Sequence, residues 1–219
     1  LEGRESPSRA EFLIFTSDKG LCGGFNGNLL RRIEDFLKNQ ETVYREVRIH
    51  MVGKKGRDFF RARRREMERV EVGFYENFRF EQAMKMAADV TGGYLEGKFD
   101  HFYLVYNRFK SAISQEVRID RLLPIEPRRA EGYLPEYLYE PSRGNLLDAL
   151  ILRGVATVLH RAVLESTAGE MGARMAAMES ATKNCSDMIY RLTLQLNRLR
   201  QAAITKELMD IVNGAEALK

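Results

Sequence analysis

The chain has 219 residues, of which 44% are apolar and 30% charged, with a net charge of +4. That is enough material for one compact domain plus an appendage, and the charge is too small to argue for a nucleic-acid surface. No run of eighteen apolar residues and no signal-peptide pattern is present, and the two cysteines, Cys22 and Cys185, fall on different elements, so a membrane span, export and a disulfide framework are not expected.

Residues 1–10 are polar and read as an exposed connector. An apolar run at 11–17 suits a buried strand, and the glycine-rich loop that follows leads into an amphipathic helix over 25–39. A second strand is expected at 47–52, a basic helix at 54–65, a weak strand at 68–74 and a helix at 80–97. The aromatic-rich stretch 99–106 and the alternating stretch 114–122 complete the set, the last placed to run antiparallel after a short turn. Alternation of strand and helix predicts an α/β fold, a doubly wound, Rossmann-like, mostly parallel sheet over 11–141.

From residue 142 the pattern changes. The last proline is Pro141, and the following seventy or so residues are rich in helix formers, with Ser142 or Asn145 available as an N-cap. A single helix over 142–214 would be on the order of 105 Å long, far beyond the width of a small domain. Met171, Met178, Cys185, Leu192 and Leu199 recur every seven residues, with Met175, Thr182, Ile189, Leu196 and Ala203 as the companion row. This is a coiled-coil seam, which requires a partner helix. No such helix is legible in 1–141, and since the chain opens on Leu1 the partner is expected in another chain or in sequence outside these residues. Small residues at Ala168, Gly169, Gly172, Ala173, Ala176 and Ala177 leave a smooth patch that suits tight helix pairing or turning against a surrounding wall.

Sites of chemistry are not evident. The loop glycines Gly20, Gly23, Gly24 and Gly27 miss the dinucleotide spacing, and the second strand ends in Gly53-Lys54-Lys55 rather than in an acid. The loop is expected to be a tight turn with Asp18 and Lys19 at an exposed tip. The cations of 54–69 are diluted by Asp58, Glu66 and Glu68 and read as a solvated face. His50, His101 and His160 have neither metal nor triad spacing, so no cofactor, metal or catalytic residue is expected.

Three stretches carry a family resemblance: SDKGLCGGFN at 17–26, ESTAGEMGARMAAMESATKN at 165–184 and NRLRQAAITKELMDIVNGAEAL at 197–218. They resemble the gamma subunit of F-type ATP synthase, and the family pattern can be followed through the chain except for the N-terminal helix that pairs with the C-terminal one. The resemblance implies a foot domain and a shaft that enters a ring of alpha and beta subunits, with epsilon on the foot and the foot on the c-ring. It places the chain peripherally at the cytoplasmic face of a bacterial inner membrane and leaves the catalysis to the beta subunits. Arg200, Gln201, Thr205 and Glu207 fall on the motif that meets the beta subunits; Glu170, Arg174 and Glu179 fall on the region coupling shaft to foot; Tyr137, Tyr139 and Glu140 fall near the c-ring and epsilon. The photosynthetic members' regulatory cysteine pair has no counterpart between 122 and 140. Two other classes fit the residues alone: a nucleotide-binding α/β protein with a helical oligomerisation tail, and a structural coiled-coil adaptor whose basic helix docks nucleic acid or an acidic protein.

Overall fold

A computed structural model of the chain describes residues 1, 3–4, 6–126, 140 and 142–216. In chain order it contains β1 (Arg9–Phe15), α1 (Phe25–Gln40), β2 (Glu46–Val52), α2 (Lys54–Ala62), β3 (Arg69–Glu71), a 3-10 turn (Phe74–Asn77), α3 (Phe80–Leu95), β4 (His101–Ser111), β5 (Ser114–Leu123) and α4 (Arg143–Glu216).

The five strands form one sheet in the order β3-β2-β1-β4-β5. Every pairing is parallel except β4 with β5, which is antiparallel as expected from the short turn between them. β1 lies at the centre, and all its residues after Arg9 are buried, as a strand covered on both faces must be. Alternation sorts its side chains. Ala10, Phe12 and Ile14 pack under α1 and α2 with Leu29, Ile33, Leu37 and Phe60. Leu13 and Phe15 face the opposite layer, with Ala83 and Ala87 of α3 and Val155, Leu159 and Val163 of α4.

Several boundaries shift for identifiable reasons. β1 starts at Arg9 because Arg4, Ser8 and Arg9 do not belong to a free connector. Arg4 donates to the carbonyls of Tyr94 (2.7 Å) and Phe99 (3.4 Å) and pairs with the Asp100 carboxylate, while the backbone N–H groups of Ser8 and Arg9 donate to Asp100 Oδ2 at 2.8 and 2.9 Å. α2 stops at Ala62, and Arg64 lies in the left-handed region at φ 55°. The weak strand shrinks to three residues at the sheet edge, and β4 extends to Ser111 because β5 pairs along its length.

The chain divides into two compact units, Leu1–Ala176 and Ala177–Lys219. In the first unit the early part of α4 is a core helix. Val155, Ala156, Leu159, Ala162, Val163 and Ser166 are at most 3% exposed and recur at three- and four-residue spacing. The expectation that the helix leaves the domain from residue 142 is corrected: about thirty residues of it belong to the body. In the second unit the described residues are helical and those from Met178 on are exposed. Among the described residues no helix is long and apolar enough to cross a membrane.

Candidate functional site

The glycine loop sits where doubly wound folds hold their ligands, outside the carboxyl end of the central strand. Here that crevice is filled by the chain itself. The Thr16 hydroxyl donates to the Val52 carbonyl at 2.9 Å and accepts from Gly56 N at 2.9 Å. Gly53 has φ 99°, and a Cβ added there would lie 2.0 Å from the Thr16 carbonyl oxygen, so only glycine fits. The Asp18 carboxylate accepts from Lys54 N at 2.8 Å and from Gly73 N at 2.9 Å. A carboxylate therefore sits at the start of α2, where it meets the positive end of that helix. Asp18 was expected at an exposed tip; it is half-buried and ties the loop to the start of α2 and to the backbone just after β3, while Lys19 is exposed.

The loop also meets α4. Arg174 pairs with Glu170, and its Nη2 reaches the Gly20 carbonyl at 3.4 Å. Nearby, the Tyr75 hydroxyl donates to the Thr16 carbonyl at 2.9 Å. Burial pushes the Tyr75 phenol upward, and a hydrogen bond with Ser166 works in the opposite direction. The small residues of α4 serve this contact: a Cβ on Gly169 would lie 3.1 Å from Phe25 Cε2, and one on Gly172 would lie 2.9 Å from Ala112 Cα. At these two glycines the close approach is thus to the chain's own body, rather than to a second helix or a surrounding wall.

The residues expected to form the seam are exposed. In the first unit Met171 and Met175 are 57% and 58% exposed. In the second, Met178, Ile189, Leu192, Leu196 and Leu199 are between 39% and 65% exposed, and Cys185 is exposed between them. A helix carrying such a stripe in water is built to be covered. Arg200, Gln201, Thr205 and Glu207 are exposed on two successive turns, and the Thr205 hydroxyl donates to the Gln201 carbonyl at 2.9 Å, which leaves its lone pairs free to accept. Of the coupling residues expected from the sequence, Glu170 and Arg174 come together while Glu179 lies exposed in the second unit. Glu140 is exposed, and Tyr137 and Tyr139 fall outside the described residues.

The remaining candidates are structural. Four cations of the basic stretch are paired: Arg57 with Asp58, Arg63 with Glu34, Arg65 with Glu41 and Arg69 with Glu71. Arg63 also lies over the Phe59 ring at 3.5 Å. His101 bonds to the Tyr44 hydroxyl and is pushed toward its neutral form by burial. His160 packs against the rings of Phe78 and Phe80. Among the described residues no group of three or more His, Cys, Asp or Glu is arranged to hold a metal ion.

A sheet body whose loop crevice is plugged by its own carboxylate, joined to a 74-residue helix with an exposed heptad stripe, defines a class of protein that works by docking and mechanical coupling. A family model described as ATP synthase matches residues 1–218. The ATP synthase gamma chain of Anaeromyxobacter sp. (strain Fw109-5) is 52% identical over 212 residues, covering 96% of this chain and 73% of that one. The gamma chain of Geotalea daltonii is 42% identical over 218 residues, covering 99% and 76%. Among solved structures, the central stalk and c-ring of the Tetrahymena thermophila mitochondrial ATP synthase contains a chain that is 26% identical with a TM-score of 0.65, covering 83% of this chain and 80% of that one. The chain belongs to the ATP synthase gamma family.

Proposed function

We propose that this chain is the central-stalk rotor subunit of a rotary ATP synthase, carrying rotation between a membrane c-ring and the catalytic beta subunits. The observation that carries the reading is the exposed heptad stripe on a continuous helix that is anchored, over 155–172, in an α/β body. The body serves as the foot, with epsilon and the c-ring as neighbours near Glu140, Tyr137 and Tyr139. The helix serves as the shaft within the alpha and beta ring. The site of action is the cytoplasmic face of a bacterial inner membrane, reached through the complex.

Work is transmitted by differential contact. A shaft with unequal faces presents a different surface to each beta subunit as it turns, and each contact favours one conformation of the subunit it meets. Driving such a two-state subunit from one conformation fully to the other takes about 5.5 kcal/mol of differential binding. A hydrogen bond to a charged group contributes about 1.5–3 kcal/mol, so Arg200 and Glu207 together with apolar cover from Ile204 and Leu208 reach the required order. Arg200 suits the task because its planar guanidinium can hold a carboxylate through two parallel bonds.

The test is a complex reconstituted with alpha, beta, epsilon and membrane subunits. The chain is expected to co-purify with alpha and beta, and Arg200→Ala with Gln201→Ala is expected to lower coupled ATP synthesis while the melting of the foot stays unchanged. Wild-type coupling in that double variant would remove both residues from the mechanism, and failure to co-purify would remove the rotor reading itself.

A further inference from the structure

A doubly wound sheet is covered by helices on both faces, and on the face that meets α3 and α4 the cover is uneven. α3 is seated through the small buried residues Ala83 and Ala87 in the core that β1, β4 and α4 share. The β2 residues on the same face, Arg48, His50 and Val52, border a cleft of about 820 Å³. That volume falls within the roughly 300–1,000 Å³ of small-ligand sites. Leu13, Phe74, Phe78, Met86 and Phe102 give the cleft apolar walls.

Its floor is polar where a sheet interior is expected to be apolar. Glu11, on the central strand, is 8% exposed, and its register partners are Arg48 on β2 and Phe102 on β4. One carboxylate oxygen lies 3.6 Å from Arg48 Nη1 and the other 3.4 Å from His50 Nε2. Neither approach is a hydrogen bond. Arg48 gives its Nε–H to Glu46 at 2.6 Å, and His50 Nε2 is buried with no hydrogen-bond partner among the described residues. A carboxylate and a ring nitrogen taken out of water without a donor both carry a desolvation cost that a shared donor would recover.

We propose that this cleft binds a primary ammonium carried on an apolar body, with Glu11 and His50 as the groups that receive it. An ammonium has three N–H donors and a positive charge, so it can donate at once to Glu11 Oε2 and to His50 Nε2, the acceptor nitrogen of a neutral imidazole protonated at Nδ1. Arg48 does not take this place, because it is bonded to Glu46 and approaches the other oxygen of Glu11. The Glu11 charge opposes an anion, and a quaternary ammonium brings charge without a donor. At the mouth, Arg69, Lys85 and Lys98 balance Glu68, Glu71 and Asp89 in number, so selection falls to the floor rather than to a long-range field. The site lies within the first unit and is independent of the rotor reading.

The experiment titrates the full chain with phenylbutylamine by isothermal calorimetry, beside phenylbutyrate, phenylbutanol and phenylbutyltrimethylammonium. Saturable one-to-one binding of the primary amine is expected, with the other three weaker by about tenfold or more, as the loss of a charge-assisted hydrogen bond implies. Glu11→Gln keeps the shape of the side chain and is expected to weaken the amine by a similar factor. Met86→Trp, at a half-buried position on the cleft wall, is expected to fill the space and abolish binding of the amine while the circular dichroism of the chain stays unchanged. That variant decides the matter should Glu11→Gln fail to fold. Absence of saturable amine binding, equal or tighter binding of phenylbutyrate or of the trimethylammonium analogue, or wild-type affinity for the amine in a folded Met86→Trp chain would each overturn the assignment.

Discussion

Asp100 ties Arg4, Ser8 and Arg9 to the start of β4. Burial pushes its carboxyl up, but the N–H groups of Ser8 and Arg9 and the Arg4 guanidinium more than offset this and hold it at about 2, below its ordinary 3.8. A carboxyl depressed on folding stabilises the native state fully above the unfolded value and loses that contribution as pH falls through the folded one. The expected contribution is about 2 kcal/mol at neutral pH, lost between pH 3.8 and about 2. Urea titrations of wild type and Asp100→Asn across that window check it, and the gap between the two should close toward the acid end. Gly53 is the sterner position. With its added Cβ 2.0 Å from the Thr16 carbonyl and φ at 99°, Gly53→Ala combines a backbone clash with strain and is expected to cost more than about 4 kcal/mol, read as loss of the folded fraction by circular dichroism.

At the scale of elements, α4 is two helices in one. Its first part carries the stripe 155, 156, 159, 162, 163 and 166, and from Met171 the heptad row runs on a different face. The sequence reading found the second stripe because Met, Leu and Ile mark it at a strict seven-residue spacing. It missed the first because Ala156, Ala162 and Ser166 are small or polar and look like ordinary helix filler. The parallel sheet was legible for a similar reason: β1 and β4 are apolar runs bounded by glycine or polar turns. The Asp18 bridge, the Asp100 clasp and the Tyr75–Thr16 contact were not legible, since each joins residues that lie tens of positions apart in sequence and carries no local pattern. The open seam has a direct consequence for the isolated chain. Size-exclusion chromatography with light scattering is expected to find it associated, and Leu192→Glu with Leu196→Glu to shift it toward monomer; a monomeric wild type at micromolar concentration would mean the stripe is not adhesive by itself.

For the molecule as a whole, the division of labour follows from where polarity is placed. The polar contacts at Thr16, Asp18, Tyr75 and Glu170 are made within the body itself, which stiffens the foot. The second unit leaves its apolar stripe and the Arg200–Glu207 segment in solvent, which makes it a surface for other chains. The central claim is that rotation passes through this chain. Its most direct measurement is single-molecule rotation: the chain assembled with alpha and beta subunits immobilised on a surface, a bead fixed to a cysteine introduced at Ile113, and ATP supplied. The expected result is stepwise rotation in one sense that stops when ATP is withdrawn. A bead that stays still while the same complexes hydrolyse ATP at the rate of the assembled enzyme would contradict the account.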